Sequence, residues 1–148
     1  MPQPKITLRE ITQDNLLEIM RLEVADNQKC FVATNDRSMA QAHFCDKAWY
    51  RGIYADDTPV GFAMLYVDRE KPEYDLWRFM IDKNHQKKDY GRKAMELIIQ
   101  HVKTLPKVDK LWLSYGPGEG NPSGFYSKLG FVETGDESGG EIVMVLKL

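Results

Sequence analysis

The stretch FMIDKNHQKKDYGRKAMELI, Phe79 to Ile98, constrains the fold more than any other segment. It reads as the end of a strand, a basic loop with one glycine, and then an amphipathic helix. Two lysines stand ahead of Gly91, and an arginine and a lysine follow it. A helix start leaves backbone N–H groups without partners inside the helix, so such a junction is an anion site. The rest of the chain has to deliver a strand and a helix to that loop, and the question becomes which anion it receives.

The overall charge narrows the answer. With 148 residues, a formal net charge of -2 and a pI near 5.9, the chain carries no global basic field of the kind nucleic-acid binders use. The basic loop is local. This length suits a single domain over residues 1–148 with one core and one site. Cys30 and Cys45 have no CxxC or dense spacing pattern around them and read as reduced thiols. The N-terminal MPQPKITLRE has no apolar segment of the signal-peptide kind, and no apolar run approaches the ~20 residues needed to span a bilayer. The expectation is a soluble, cytoplasmic protein.

Along the chain, KITLREI alternates as a strand, and TQDNLLEIMRLEV follows as a helix with Thr12 as N-cap and Leu16, Leu17 and Met20 at helical spacing. DRSMAQAHFCDKAW gives a second helix, with Met39, Ala42 and Phe44 to Cys45 partly on one face. YRGIYADDTPVGFAMLYV reads as a hairpin turning at Asp56 to Pro59, and EYDLWRFMID, Glu73 to Asp82, as a further strand. The helix after Gly91 places Ala94, Leu97, Ile98, His101 and Val102 on one stripe. DKLWLSY is then a strand, GPGEGNPSG a turn, GFYSKLG a short helix, and FVET and EIVMVLKL two closing strands. The order β-α-α-β-β-β-α-β-α-β-β predicts a mixed α/β fold, one sheet covered by helices, without internal repeats or linkers.

The loop lacks GxxxxGK[ST] and GxGxxG, so neither standard nucleotide fingerprint applies. What remains is a nest of backbone N–H groups from Lys87 through Arg92, with Lys88, Arg92 or Lys93 adding charge, which suits a pyrophosphate. IDKNHQKKDYGRKAM resembles the acyl-CoA pyrophosphate loop of the GCN5-related N-acetyltransferase (GNAT) superfamily, whose pattern is Gln/Arg-x-x-Gly-x-Gly/Ala; Gln86 and Gly91 match it. FYSKLGFVETG, Phe125 to Gly135, resembles that superfamily's closing segment, and the element order over the whole chain is also that superfamily's. Leu22 to Ala42, with VGFAML and RFMID, is similar to bacterial spermine and spermidine acetyltransferases. Two departures stand in the loop, where Lys87 and Asp89 occupy positions at which the family usually carries glycine.

The resemblance implies a single mixed, mostly antiparallel α+β sheet of about seven strands, splayed between the fourth and fifth, with helices on both faces. It implies an acetyl-CoA-dependent N-acetyltransferase acting on a small-molecule primary amine, a polyamine first. Another small amine, a protein N-terminus, or a CoA-binding sensor with weak catalysis are the alternatives. Tyr126 matches the family's tyrosine acid, against a plain reading as a core anchor for a short helix. Phe79, Met80 and Ile81 match the strand edge that bonds pantetheine, with an oxyanion donor near Met80. Gln86, Lys87, Lys88, Asp89, Tyr90, Gly91 and Arg92 match the loop. Asn121 and Lys128 are further cofactor candidates, although Asn121 lies closer to Tyr126 than the family spacing.

Asp75 stands where several members place a glutamate base, with Glu73 as runner-up. An alkylamine with a pKa of ~10.4 has to lose a proton near neutral pH. The plain reading of Asp75 is a carboxylate on the wet face of a strand. Glu23, Asp26, Asp36 and the Asp56–Asp57 pair are candidate ammonium partners, with Glu23 and Asp26 foremost. His43 and Cys45 do not share a helical face, and His85 and His101 have no partner at ligand spacing, so no metal is expected. Homodimerisation is common in the superfamily and is carried as an expectation.

Overall fold

The computed structural model describes residues 2–148. Seven strands form one sheet in the order β1-β2-β3-β4-β5-β7-β6. They are β1 (Ile6–Arg9), β2 (Ala48–Ala55), β3 (Thr58–Asp68), β4 (Glu73–Ile81), β5 (Lys110–Tyr115), β6 (Val132–Ser138) and β7 (Glu141–Lys147). Four helices, α1 (Leu16–Arg21), α2 (Asn35–His43), α3 (Tyr90–Val102) and α4 (Ser123–Lys128), lie between them. All neighbours pair antiparallel except β4 and β5, which are parallel.

β3 explains why the sheet is covered on both faces. Its apolar run buries Ala63 and Leu65 in the core shared with α3, and Phe62 and Met64 in the smaller core under α1 and α2. A strand buried on both sides carries such a continuous run. On α3, Tyr90, Ala94, Met95, Ile98 and Val102 are the buried face, spaced as a helical stripe requires. His101 lies beside that stripe and stacks on Trp49, ring centroids 4.4 Å apart.

Three expected boundaries shift. The second helix stops at His43, and Ala48 and Trp49 open β2, because Trp49 is claimed by pairing with Leu65 and Phe44 turns to solvent at 87% exposure. The hairpin turns on Asp56 and Asp57 alone; Asp56 has φ 51, a left-handed geometry that Asp tolerates, and Thr58 and Pro59 belong to β3. The first helix begins at Leu16 behind Asn15, with Thr12 in the preceding turn. It buries Ile19, whereas Leu17 and Met20 face outward.

Two irregularities shape the middle of the sheet. Met64 pairs with Arg78 but Leu65 with Leu76, so Trp77 is an extra residue bulging from β4. The bulge flips the alternation: Tyr74 and Leu76 join the α3 core before it, Phe79 and Ile81 after it. The β4–β5 ladder is reduced to one register pair, Asp75 with Trp112, and beyond it the strands part. Cys30 and Cys45 are free thiols, and among the described residues no helix is long and apolar enough to cross a membrane.

Candidate active site

Beyond the Asp75–Trp112 pair, the parted strands open a cleft of about 1500 Å³. β4 from Leu76 to Ile81 and the following loop form one side, and β5 with α4 the other. Phe79, Met80 and Ile81 all border it, so the β4 edge facing β5 offers main-chain groups to a ligand. The side chain of Met80 turns away, into the core under α1 and α2.

The loop at the end of β4 is built by a buried acid. The Asp82 carboxylate accepts from the N–H of Glu23 at 2.9 Å and of Asn84 at 3.1 Å, which starts a 3-10 turn over Lys83–His85. Gln86 then folds back: its Nε2 donates to the Ile81 carbonyl at 2.9 Å and to Gln28 Oε1 at 2.8 Å. Lys87 and Asp89 have φ of 62 and 68, so both glycine-type positions do take the left-handed conformation. As a result the N–H groups of Lys87 through Arg92 donate to no carbonyl or carboxylate among the described residues; the first closed bond of α3 is Lys93 N–H to the Asp89 carbonyl. Six consecutive free donors at a helix start form a cradle for an anion.

Charge around the loop is divided differently from the sequence expectation. Arg92 does not face an anion freely: its Nε donates to both Asp89 oxygens, at 2.9 and 3.0 Å, and its other nitrogens reach Asp89 and Glu96. That contact offsets the Asp89 carboxylate, whose pKa the Arg92 hydrogen bond pulls down. Lys87 borders the cleft and Lys88 does not. Tyr90 is a core side chain, leaving its N–H as its contribution. Gly91 is favoured by space rather than by φ, since a Cβ there would press on the Phe125 ring at 3.2 Å and push it aside by a few tenths of an ångström.

Phe125 stacks on Phe79, centroids 5.8 Å apart, and so ties α4 to β4 across the cleft. Its neighbour Tyr126 sits edge-on to Phe125 and Phe131 and is 8% exposed. The Tyr126 hydroxyl has no hydrogen-bond partner among the described residues, and burial pushes its pKa far above the ordinary phenol value. It therefore keeps its proton until a strong base arrives. Asp75 is half-buried in the same cleft; desolvation, then the charge of Glu73, raises its pKa to about 6.

Other expected residues go elsewhere. Asn121 borders the cleft, but its side chain is spent on the Gly118 carbonyl at 2.7 Å and on the N–H of Ser123 at 2.9 Å, which organises the start of α4. Lys128 is exposed on the cleft rim. Glu23 and Asp26 do not line the cleft; Glu23 pairs with Lys83 at 2.6 Å and Asp26 with Lys29 at 2.9 Å. Sequence reading missed Trp77, Arg37, Arg78 and Glu141, which do line it. A strand bulge has no local signal strong enough to find Trp77, and Glu141 is marked only by the Gly139–Gly140 turn ahead of it.

A family model described as acetyltransferase (GNAT) family matches residues 15–131. The chain belongs to this family. As a GNAT N-acetyltransferase it is similar over nearly its whole length to two curated relatives. One, from Bacillus subtilis subsp. natto (strain BEST195), is a "Probable spermine N(1)-acetyltransferase", 32% identical over 97% of this chain and 99% of that protein. The other, the "Spermine/spermidine N(1)-acetyltransferase" of Bacillus subtilis (strain 168), is 31% identical over the same shares. Among solved structures, an acetyltransferase from Thermus thermophilus superposes with a TM-score of 0.77 at 18% identity over 100% of both chains. A Bacillus subtilis acetyltransferase in complex with CoA gives 0.70 at 18% identity over 99% of each. The family's splayed, mostly antiparallel sheet is the fold observed.

Proposed function

We propose that this GNAT enzyme transfers the acetyl group of acetyl-CoA directly to a primary amine, and that the amine is a polyamine such as spermidine or spermine. The observation that carries the reading is the row of six free N–H donors, Lys87 to Arg92, five of whose residues, all but Lys88, border the same cleft as Tyr126. A diphosphate on those donors directs a pantetheine arm along the open edge of Phe79–Ile81. The names of the two Bacillus relatives support the polyamine.

Asp75, ionised above pH 6, takes a proton from the ammonium through a water. The freed nitrogen attacks the thioester carbonyl carbon, and an N–H on the splayed edge near Met80 donates to the oxyanion. As the C–S bond breaks, the nitrogen gives up its second proton to water, the thiolate takes the proton of Tyr126, and a proton from solvent restores the phenol. The thioester's own energy drives the step, so no further reagent is required.

A panel of amines assayed by free-thiol release tests the reading. Spermidine turnover at rates above those with amino acids and aminoglycosides is the expected result. Absence of spermidine turnover removes the polyamine, and CoA binding without turnover of any amine makes the protein a CoA-binding module instead.

A further inference from the structure

The strands that part beyond Asp75 and Trp112 leave a gap in the sheet, and a phenyl ring crosses it on each face. On the α3 face the ring is Phe125, stacked on Phe79. On the face under α1 and α2 it is Phe31, from the segment between those helices. A Cβ built on Gly116 would lie 3.9 Å from Cδ1 of Phe31, and one built on Gly120 would lie 3.9 Å from Cε2. Cδ1 and Cε2 are opposite corners of the ring. The ring therefore rests in a bay of the loop between β5 and α4 whose two sides carry no side chain.

The parallel register sets the level of this contact. Gly116 stands four residues past Trp112, and Phe79 stands four past its partner Asp75. Phe31 thus meets the far rim level with the β4 edge proposed to meet the pantetheine arm, between the Asp75 end of the cleft and the Lys87–Arg92 loop. Core packing does not account for the ring. Its neighbour Val32 packs on the core under α1 and α2, whereas Phe31 belongs to neither core, although it is half-buried and borders the cleft. The Phe31 N–H donates to the Gln28 carbonyl at 2.9 Å, and Gln28 is bonded to Gln86. The ring is held from the Gln86 side and reaches the opposite rim.

We infer that Phe31 is the roof of the cleft: it closes the gap over the thioester, keeps water off the acyl carbon, and so reserves the acetyl group for an amine. The inference rests on the transferase reading and on no particular amine. Water competes with nitrogen for a thioester. In hydrolysis the water oxygen bonds to the acetyl carbon, the C–S bond breaks, one water proton ends on sulfur and the other in solvent, and acetate leaves with the free thiol. An apolar ring over the reacting carbon removes that competitor without touching the amine's own path from the Asp75 end.

Free-thiol release from acetyl-CoA, measured with and without each amine of the panel, tests the roof. The parent should release about one thiol per acetylated amine and little without amine. Phe31→Ala should raise amine-free release by about tenfold while CoA binding by calorimetry stays at the parent's level, and Phe31→Tyr, which keeps the ring, should restore tight coupling. Gly116→Leu should leak in the same way. Phe31 supplies the only atom within 4 Å of a Cβ at Gly116, whose φ is not left-handed, so the larger side chain pushes on the ring alone; this variant carries the test if Phe31→Ala fails to fold. Amine-free release that neither variant raises overturns the roof, as does a parent that hydrolyses acetyl-CoA as fast as it acetylates. Lost CoA binding in Phe31→Ala also overturns it, because the ring then holds the cofactor. A parent that acetylates amines other than spermidine removes the polyamine and leaves the roof standing, whereas one that neither transfers nor hydrolyses removes the transferase reading and the roof with it.

Discussion

Asp75 links chemistry to stability. Its pKa, raised to about 6, means that the folded state binds a proton more tightly than the unfolded chain. The stabilisation is present below the unfolded pKa and is lost as pH rises through about 6, so at neutral pH the charged group is a cost. Asp75→Asn should therefore raise stability at pH 7 by about 1–2 kcal/mol after discounting for partial exposure, and by nothing near pH 3. Urea unfolding at both pH values measures this. The same variant should lower kcat at neutral pH and erase the acid limb near pH 6 in the rate profile. Tyr126→Phe should cut kcat by about 100-fold or more and leave CoA binding by calorimetry unchanged. A loss of CoA affinity would instead make the ring's packing against Phe125 and Phe131 its main role.

At the scale of elements, the loop between β4 and α3 stores conformational strain where the family uses glycine. Lys87 and Asp89 both hold left-handed geometry, which costs a non-glycine residue about 1 kcal/mol. Asp89→Gly relieves that cost and removes a carboxylate from the cradle, while freeing Arg92 to meet phosphate. Acetyl-CoA should bind several-fold tighter, and calorimetry showing equal or weaker binding refutes the argument. Gly91→Ala should weaken binding, since the new methyl presses on Phe125. The junction itself was legible in the sequence: a basic loop, a glycine and a helical stripe at fixed offsets, together with matching segments at Gln86 and Phe125. The partners of Arg92 were not, because Asp89 and Glu96 meet it only after the helix has formed. Nor was the fate of Asn121, whose side chain is used in the local turn ahead of α4. The strand at Glu73 to Ile81 was visible, but the Trp77 bulge depends on a neighbouring strand's register and leaves no periodic trace.

At the scale of the molecule, the sheet is two antiparallel blocks joined at one register pair and held together by α3, α4 and the core beneath them. Element order was readable because apolar periods of two and of 3.6 are strong signals in a short chain. The charge pattern of the cleft was not, since Arg37, Arg78 and Glu141 come from three distant segments. Gly61 guards the β3–β4 block: a Cβ there would meet the Met80 carbonyl at 2.4 Å. Gly61→Ala should destabilise the fold by about 2 kcal/mol in urea and displace the β4 edge proposed to meet the pantetheine arm. Addition of CoA should slow hydrogen exchange at the Phe79–Ile81 amides, with little change in β1.

The stitching of residues 23–28 to the end of β4 has a further consequence. Glu23 is bonded to Asp82 and Lys83 through its main chain and to Lys83 through its carboxylate, and Gln28 grips Gln86. Val24 and Gln28 of this segment line the cleft and are thus tied to the loop proposed to hold the diphosphate. Whatever orders the loop therefore also orders these two lining residues, and the two stretches respond as one unit although 58 positions separate Gln28 from Gln86.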